Sequence, residues 1–175
     1  MHLKLKRTPG IYITGFMGSG KTTVGRMVAD RLGWEFVDLD TDIEEREKDT
    51  VANIFATRGE AEFRRLETDA IKRWLRKIEC GMPMVIALGG GAFVQPVNYE
   101  ILGNNGISIW LDCSLEVVES RLADGSERPL ARDKDAFRKL YAERRVLYGR
   151  ADYRVNGDLD SAEAAGEIVN LPLWK

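Results

Sequence analysis

The residues with the clearest chemical meaning are Gly15-Phe16-Met17-Gly18-Ser19-Gly20-Lys21-Thr22, which match the pattern G-x-x-x-x-G-K-[ST] in full. Glycines let backbone N–H groups curl around phosphate oxygens, and a helix N-terminus behind them adds positive potential. Lys21 is placed to reach the β- and γ-phosphates, and the Thr22 hydroxyl is a Mg2+ ligand. The chemistry is that of a bound nucleoside triphosphate.

Such a loop needs a carboxylate near the metal, commonly an Asp at a strand end. The run Met84–Leu88 ends in glycine and supplies none, whereas Asp38-Leu39-Asp40-Thr41-Asp42 supplies three. Asp40 is expected to face the metal, and Asp42, two residues on, to lie further out towards a phosphoryl acceptor. Helix N-capping is the competing reading, and it explains one acidic residue here better than three.

Four further features suggest an anionic ligand. Arg144 falls on the apolar stripe Phe137, Leu140, Tyr141, Leu147, Tyr148, where a charge needs either a buried ion partner or a bound anion; both readings stay open. Arg138 and Arg145 fall off that stripe and read as solvated. Arg64 is flanked by Glu60 and Glu67 at i−4 and i+3, which by itself favours ordinary surface pairing. Gly89-Gly90-Gly91, directly after an apolar run, marks close approach to the backbone at the carboxyl end of a strand, where open α/β sheets bind ligands. Arg128 and Arg132, beside Pro129 in a polar stretch, could serve as a lid arginine over phosphate, although taken alone they read as solvated charges.

The elements that must position these residues follow from periodicity. Ile11–Thr14 and Glu35–Leu39 read as strands, with a helix over Lys21–Leu32 between them that ends at Gly33. That βαβ unit implies a parallel sheet with helices on its faces. Thr41 and Glu44 suggest a capping box, with a helix from Asp42. Further helices are expected from Thr50 to Arg58 and from Glu60 to Ile78, so the stretch 41–70 is an inserted helical subdomain. Met84–Leu88 and Ile107–Leu111 are unbroken apolar runs, as in strands buried on both faces. Ser114 caps the helix after the second of these. Residues 122–134 are expected to form a lid loop, followed by a helix over Asp135–Tyr148, a short strand at Tyr153–Val155 and a closing helix over Ser161–Leu171.

Composition sets the outer bounds. The 175 residues fit one domain, with core segments 10–40, 80–121 and 149–175. With 26 Lys+Arg against 28 Asp+Glu, the net charge of −2 argues against a nucleic-acid or membrane coat, and no partner of either kind is expected. The single histidine is His2, so triad chemistry and histidine-rich metal sites are disfavoured together. No run approaches the roughly 18 apolar residues of a membrane span. The N-terminus does not read as a signal peptide, and Cys80 and Cys113 lie too far apart for a CxxC, which points to free thiols in the cytoplasm.

Taken in order, the loop G-F-M-G-S-G-K-T, the D-T-D at Asp40–Asp42, I-F-A-T-R-G-E-A-E-F-R-R at Ile54–Arg65, the G-G-G, R-P-L at Arg128–Leu130 and R-x-x-L-Y at Arg144–Tyr148 resemble the shikimate kinase family of P-loop proteins, over roughly Ile11 to Val169. The resemblance implies a three-layer α/β/α fold on a five-stranded parallel sheet, with a shikimate-binding subdomain and a lid. It implies phosphorylation of the 3-hydroxyl of shikimate by ATP with Mg2+, on the route to chorismate and aromatic amino acids, by a monomer. It makes Gly18, Ser19, Gly20, Lys21, Thr22 and Thr23 the phosphate cradle, and Thr22 and Asp40 the metal residues. Asp42 becomes the candidate base, Arg128 the lid arginine on the transferring phosphate, and Arg121 the arginine flanking adenine, with the loop after Val155 closing the base pocket. Arg64 and Arg144 would clamp the shikimate carboxylate beside Gly89, Gly90 and Gly91, with Phe55 and Phe63 lining the ring pocket. Arg64 thereby moves from surface pairing to substrate. Phe93, after the glycines, is bulkier than the pattern suggests.

Two rivals are a kinase of the same branch acting on another small molecule and a non-catalytic nucleotide switch. The first would lack the combination of Asp42, Arg64 and Arg144, and the second needs an N-K-x-D that the sequence does not contain.

Overall fold

The computed structural model describes residues 10–123 and 133–172. His2, Arg128, Pro129 and Arg132, and with them the lid expectation, lie outside the described residues. Five strands, β1 (Gly10–Thr14), β2 (Glu35–Asp38), β3 (Met84–Ala87), β4 (Gly106–Asp112) and β5 (Tyr153–Asn156), form one sheet in the order β2-β3-β1-β4-β5. Every pairing is parallel, with Ile11 opposite both Val85 and Ile107. The central strand β1 is buried along its whole length, as its apolar sequence requires.

Among the described residues eight helices flank the strands: α1 (Lys21–Leu32), α2 (Leu39–Glu47), α3 (Val51–Arg58), α4 (Glu60–Glu79), α5 (Pro96–Gly103), α6 (Leu115–Ala123), α7 (Lys134–Tyr148) and α8 (Ser161–Val169). The strand alternation sorts them into two layers. Ile11, Ile13, Val85, Ile109 and Val155 face α1 and α8 through Val24, Val28, Ala165 and Ile168. Tyr12, Met84, Ile86 and Trp110 face the other way, towards Ile43 of α2, Ile71 of α4, Leu102 of α5 and Tyr141 of α7. The result is the three-layer α/β/α arrangement expected from the βαβ pattern.

Element bounds agree with the periodicity to within a few residues, with two differences. Helix α5 is additional: it starts on a proline at its first turn, and Leu102 is its main apolar anchor, too short a stripe to stand out in sequence. Helix α2 begins at Leu39, three residues before the expected start. Its N-cap is Asp38, whose carboxylate accepts from the Thr41 amide at 3.1 Å. Leu39 and Ile43, at i and i+4, are then both buried. Thr41 and Glu44 form no capping box; Glu44 instead accepts from the Val51 amide at 2.8 Å, tying α2 to the start of α3. Phe93 is accommodated in the core, edge-on to Tyr99 with ring centroids 5.4 Å apart.

Candidate active site

Glycines set the path of the loop between β1 and α1. Gly18 and Gly20 have φ of 77° and 89°, and a Cβ on Gly15 would stand 2.7 Å from the Leu111 carbonyl. Gly20 is the N-cap of α1 and brings no capping side chain, so the helix N-terminus is presented by backbone alone, as a phosphate site requires. Lys21 folds along the loop, its Nζ donating to the Phe16 carbonyl at 2.9 Å. Arg121, from α6, lies across the same loop: Nη1 donates to the Ser19 carbonyl at 3.1 Å and Nη2 to the Gly157 carbonyl at 3.2 Å. It therefore joins the phosphate loop to the turn after β5, bringing together the residues expected around adenine. Ser19 is buried on the loop and Thr23 is exposed on the first turn of α1.

The Thr22 hydroxyl donates to Asp38 Oδ2 at 2.5 Å. The carboxylate beside the Thr22 hydroxyl is therefore Asp38, two residues before the aspartate expected at the metal. A hydroxyl and a carboxylate are hard oxygen donors, and Mg2+ characteristically takes one or two of these from protein, the rest from phosphates and water. The pair fits that ion.

The same early start of α2 redistributes the other two aspartates. In a strand, Asp40 and Asp42 would point the same way; on a helix, residues two apart lie about 200° apart and cannot share a face. Asp40 turns inward: a Cβ on Gly89 would stand 2.6 Å from its Oδ1. Asp42 turns to α4, where Arg73 donates to its Oδ2. Arg73 lines a groove of about 410 Å³ between α2 and α4 whose rim includes Arg46 and Arg76. Of the two aspartates it is thus Asp40 that faces the glycine triplet, whereas Asp42, expected at the acceptor, pairs with Arg73.

Asp40 is joined there by charges from two more helices. Arg144, on α7, donates to the Gly90 carbonyl at 2.6 Å, and Tyr148, one turn on, donates to the same oxygen at 2.5 Å. Arg64, on α4, fills the space over Gly91, where any Cβ would collide with its guanidinium. It is only 18% exposed and lies 5.7 Å and 5.5 Å from the ring centres of Phe55 and Phe63, which pack at 4.5 Å from each other. The surface-pairing reading of Arg64 holds for exposed Glu60, at 3.3 Å, but not for Glu67.

Glu67 is the residue the sequence reading missed. It accepts from Arg64 Nη1 at 2.9 Å through Oε2, yet it is fully buried, and its Oε1 has no hydrogen-bond partner. Burial pushes its pKa up to about 7, against the pull of Arg64 and Arg144 and with a further push from Asp40. Arg64, Arg144 and Asp40 therefore all act on Glu67 beside the glycine triplet. The signal was present in sequence: Glu67 continues the stripe of Phe63, Ala70 and Ile71, just as Arg144 interrupts the stripe of α7.

Of the two arginines read as solvated, Arg138 is exposed and pairs with Glu119 at 3.3 Å. Arg145 is half-buried: it donates to Asp112 at 3.0 Å and to the Tyr141 hydroxyl at 2.7 Å.

Comparison with known proteins gives a consistent result. The family model described as "Shikimate kinase" matches residues 17–171. A shikimate kinase of Persephonella marina is 40% identical over 161 residues, covering 91% of this chain and 94% of its own. The structure of shikimate kinase from Acinetobacter baumannii in complex with shikimate superposes with a TM-score of 0.85 at 35% identity, covering 93% of this chain and 92% of that one. The Aquifex aeolicus shikimate kinase structure gives 0.81 at 35% identity, with coverage of 91% and 94%.

Proposed function

The chain belongs to the shikimate kinase family, and we propose that it phosphorylates the 3-hydroxyl of shikimate, on the route to chorismate, through the residues gathered around Gly89–Gly91. The observation that carries this reading is the convergence of Arg64 and Arg144 on the glycine triplet, with Asp40 beside them and the phosphate loop next to it. Two guanidiniums approaching from different helices suit a carboxylate, each offering a planar fork of donors.

In this reading Gly18, Ser19, Gly20, Lys21 and Thr22 hold the triphosphate, and Thr22 with Asp38 holds Mg2+. Magnesium-ATP supplies the phosphoryl group and neutralises charge on it. Arg64 and Arg144 fix the shikimate carboxylate, and Phe55 and Phe63 pack against the ring. Asp40 accepts a hydrogen bond from the acceptor hydroxyl and takes its proton as the oxygen bonds to phosphorus and ADP departs. Arg128 keeps the role the resemblance gives it, on the transferring phosphate. Catalysis is then mostly positioning and charge stabilisation, with no covalent enzyme intermediate. Residues 41–70 act as the shikimate-binding part of a single kinase domain.

We place the enzyme in the cytoplasm as a monomer, in keeping with its free thiols Cys80 and Cys113. Among the described residues no helix is long and apolar enough to cross a membrane.

The test is ADP release with shikimate, gluconate and nucleoside monophosphates as acceptors. Release that depends on shikimate is expected; release with gluconate or a nucleotide in its place would overturn the assignment.

A further inference from the structure

Helix α7 grips the sheet along two adjacent lines. Tyr141 and Arg145, at i and i+4, reach the end of β4: the Tyr141 hydroxyl donates to the Cys113 carbonyl at 2.7 Å and Arg145 Nη2 to Asp112 at 3.0 Å. Arg144 and Tyr148, also at i and i+4, reach the Gly90 carbonyl just beyond β3. In the sheet, β1 lies between β3 and β4, so the two lines land on either side of β1 and the phosphate loop that leaves it. Between them Phe16 of that loop packs edge-on against Phe137 and Tyr141, each at 5.3 Å between ring centres.

A helix held along one line can still roll about its axis, whereas two lines about 60° apart resist the roll. Arg145 is heavily committed to the line that reaches β4. Besides Asp112 it donates to Tyr141 and lies 5.3 Å from the Trp110 ring centre. Asp112 is buried, and it is also held from β5 by Arg154, at 2.6 Å. Two arginines on one carboxylate are more than its charge requires, and only one of them belongs to α7.

We infer that Arg145 is a positioning residue, anchoring α7 to Asp112 on the β4 side of the phosphate loop and so holding its neighbour Arg144 on Gly90 at the acceptor site. The inference rests on the reading of Arg144 as part of the carboxylate clamp.

The pair R145M and R154M tests it. Each removes one partner of Asp112 and leaves the other, so an effect that comes only from the charge pairing of Asp112 appears in both. The anchor predicts that R145M raises the shikimate KM about tenfold or more while the ATP KM stays within about twofold, and that R154M leaves both unchanged. R145K, which can still reach Asp112, should recover most of the loss. Equal shifts in the two variants, or none in R145M, would overturn the anchor. Thermal midpoints of both are measured alongside, and R145Q replaces R145M if the latter does not fold. R144A separates the two levels. If R144A leaves the shikimate KM unchanged, the clamp reading fails and the anchor with it; if R144A raises KM and R145M does not, only the anchor fails.

Discussion

The Thr22 hydroxyl and the Asp38 carboxylate meet at 2.5 Å, across the space between the first turn of α1 and the end of β2. Asp38 also caps α2. Asparagine caps a helix about as well as aspartate but carries no charge. D38N is therefore expected to keep its thermal midpoint while losing turnover by about a hundredfold and needing more Mg2+, as read from magnesium titrations of ADP release. D38A should in addition lose about 1 kcal/mol of stability in denaturant melts, from the missing cap.

Asp40 and Asp42 should separate cleanly. D40N is expected to lower kcat by about 10²–10⁴ with the ATP KM little changed, the range associated with loss of a general base. D42N, which only releases Arg73 on the far side of α2, should retain kcat within a factor of about three, the scale of an ordinary surface change. Steady-state kinetics of the two proteins decide between them; a dead D42N with an active D40N would restore the register expected from sequence.

Arg64 and Arg144 should act on acceptor binding. R144A and R64A are each expected to raise the shikimate KM by at least about tenfold, since a charge-assisted pair contributes about 1.5–3 kcal/mol. R144K should recover little, because lysine lacks the planar fork. Initial-rate measurements across shikimate concentrations test this, and an unchanged KM would make either residue structural.

Glu67 should leave a mark on the pH dependence of stability. Its carboxyl has a pKa near 7 in the folded chain and an ordinary value of 4.5 when unfolded. Between those values the folded state binds more protons than the unfolded one, so Glu67 makes stability fall as pH rises from about 4.5 through 7. Urea midpoints of E67Q, compared with those of the unmodified chain at pH 5, 6, 7 and 8, should decline less over that window. Parallel curves would show that Glu67 does not hold its proton.

The phosphate loop, the parallel sheet and the inward arginine of α7 were all legible in sequence, because each rests on a local pattern: a fixed glycine spacing, unbroken apolar strands, a charge on an apolar stripe. The carboxylates were harder. Thr41 with Glu44 resembles a capping box, but Asp38 competes for the Thr41 amide and wins, starting α2 early. In the proposed reading that shift moves the roles expected of Asp40 and Asp42 onto Asp38 and Asp40. Glu67 was hidden by a different ambiguity, since an i+3 Arg–Glu pair looks the same in sequence whether it is solvated or buried. Arg145 shows the limit of stripe arguments: it lies off the apolar stripe, and only the place where β4 ends gives it a buried partner.

The glycine triplet offers a way to dissect the pocket by charge. A methyl group at Gly89 would press on the carboxylates of Asp40 and Glu67, while one at Gly91 would push out the Arg64 guanidinium. At Gly90 the nearest atoms stand 3.7 Å away, so a methyl group there is tolerated sterically. Alanine at each position in turn is thus a graded probe, interfering with the acid side of the pocket, sparing it, and interfering with its cationic side. The two outer positions report separately on the carboxylates from α2 and α4 and on the guanidinium from α4, with the middle position as the control.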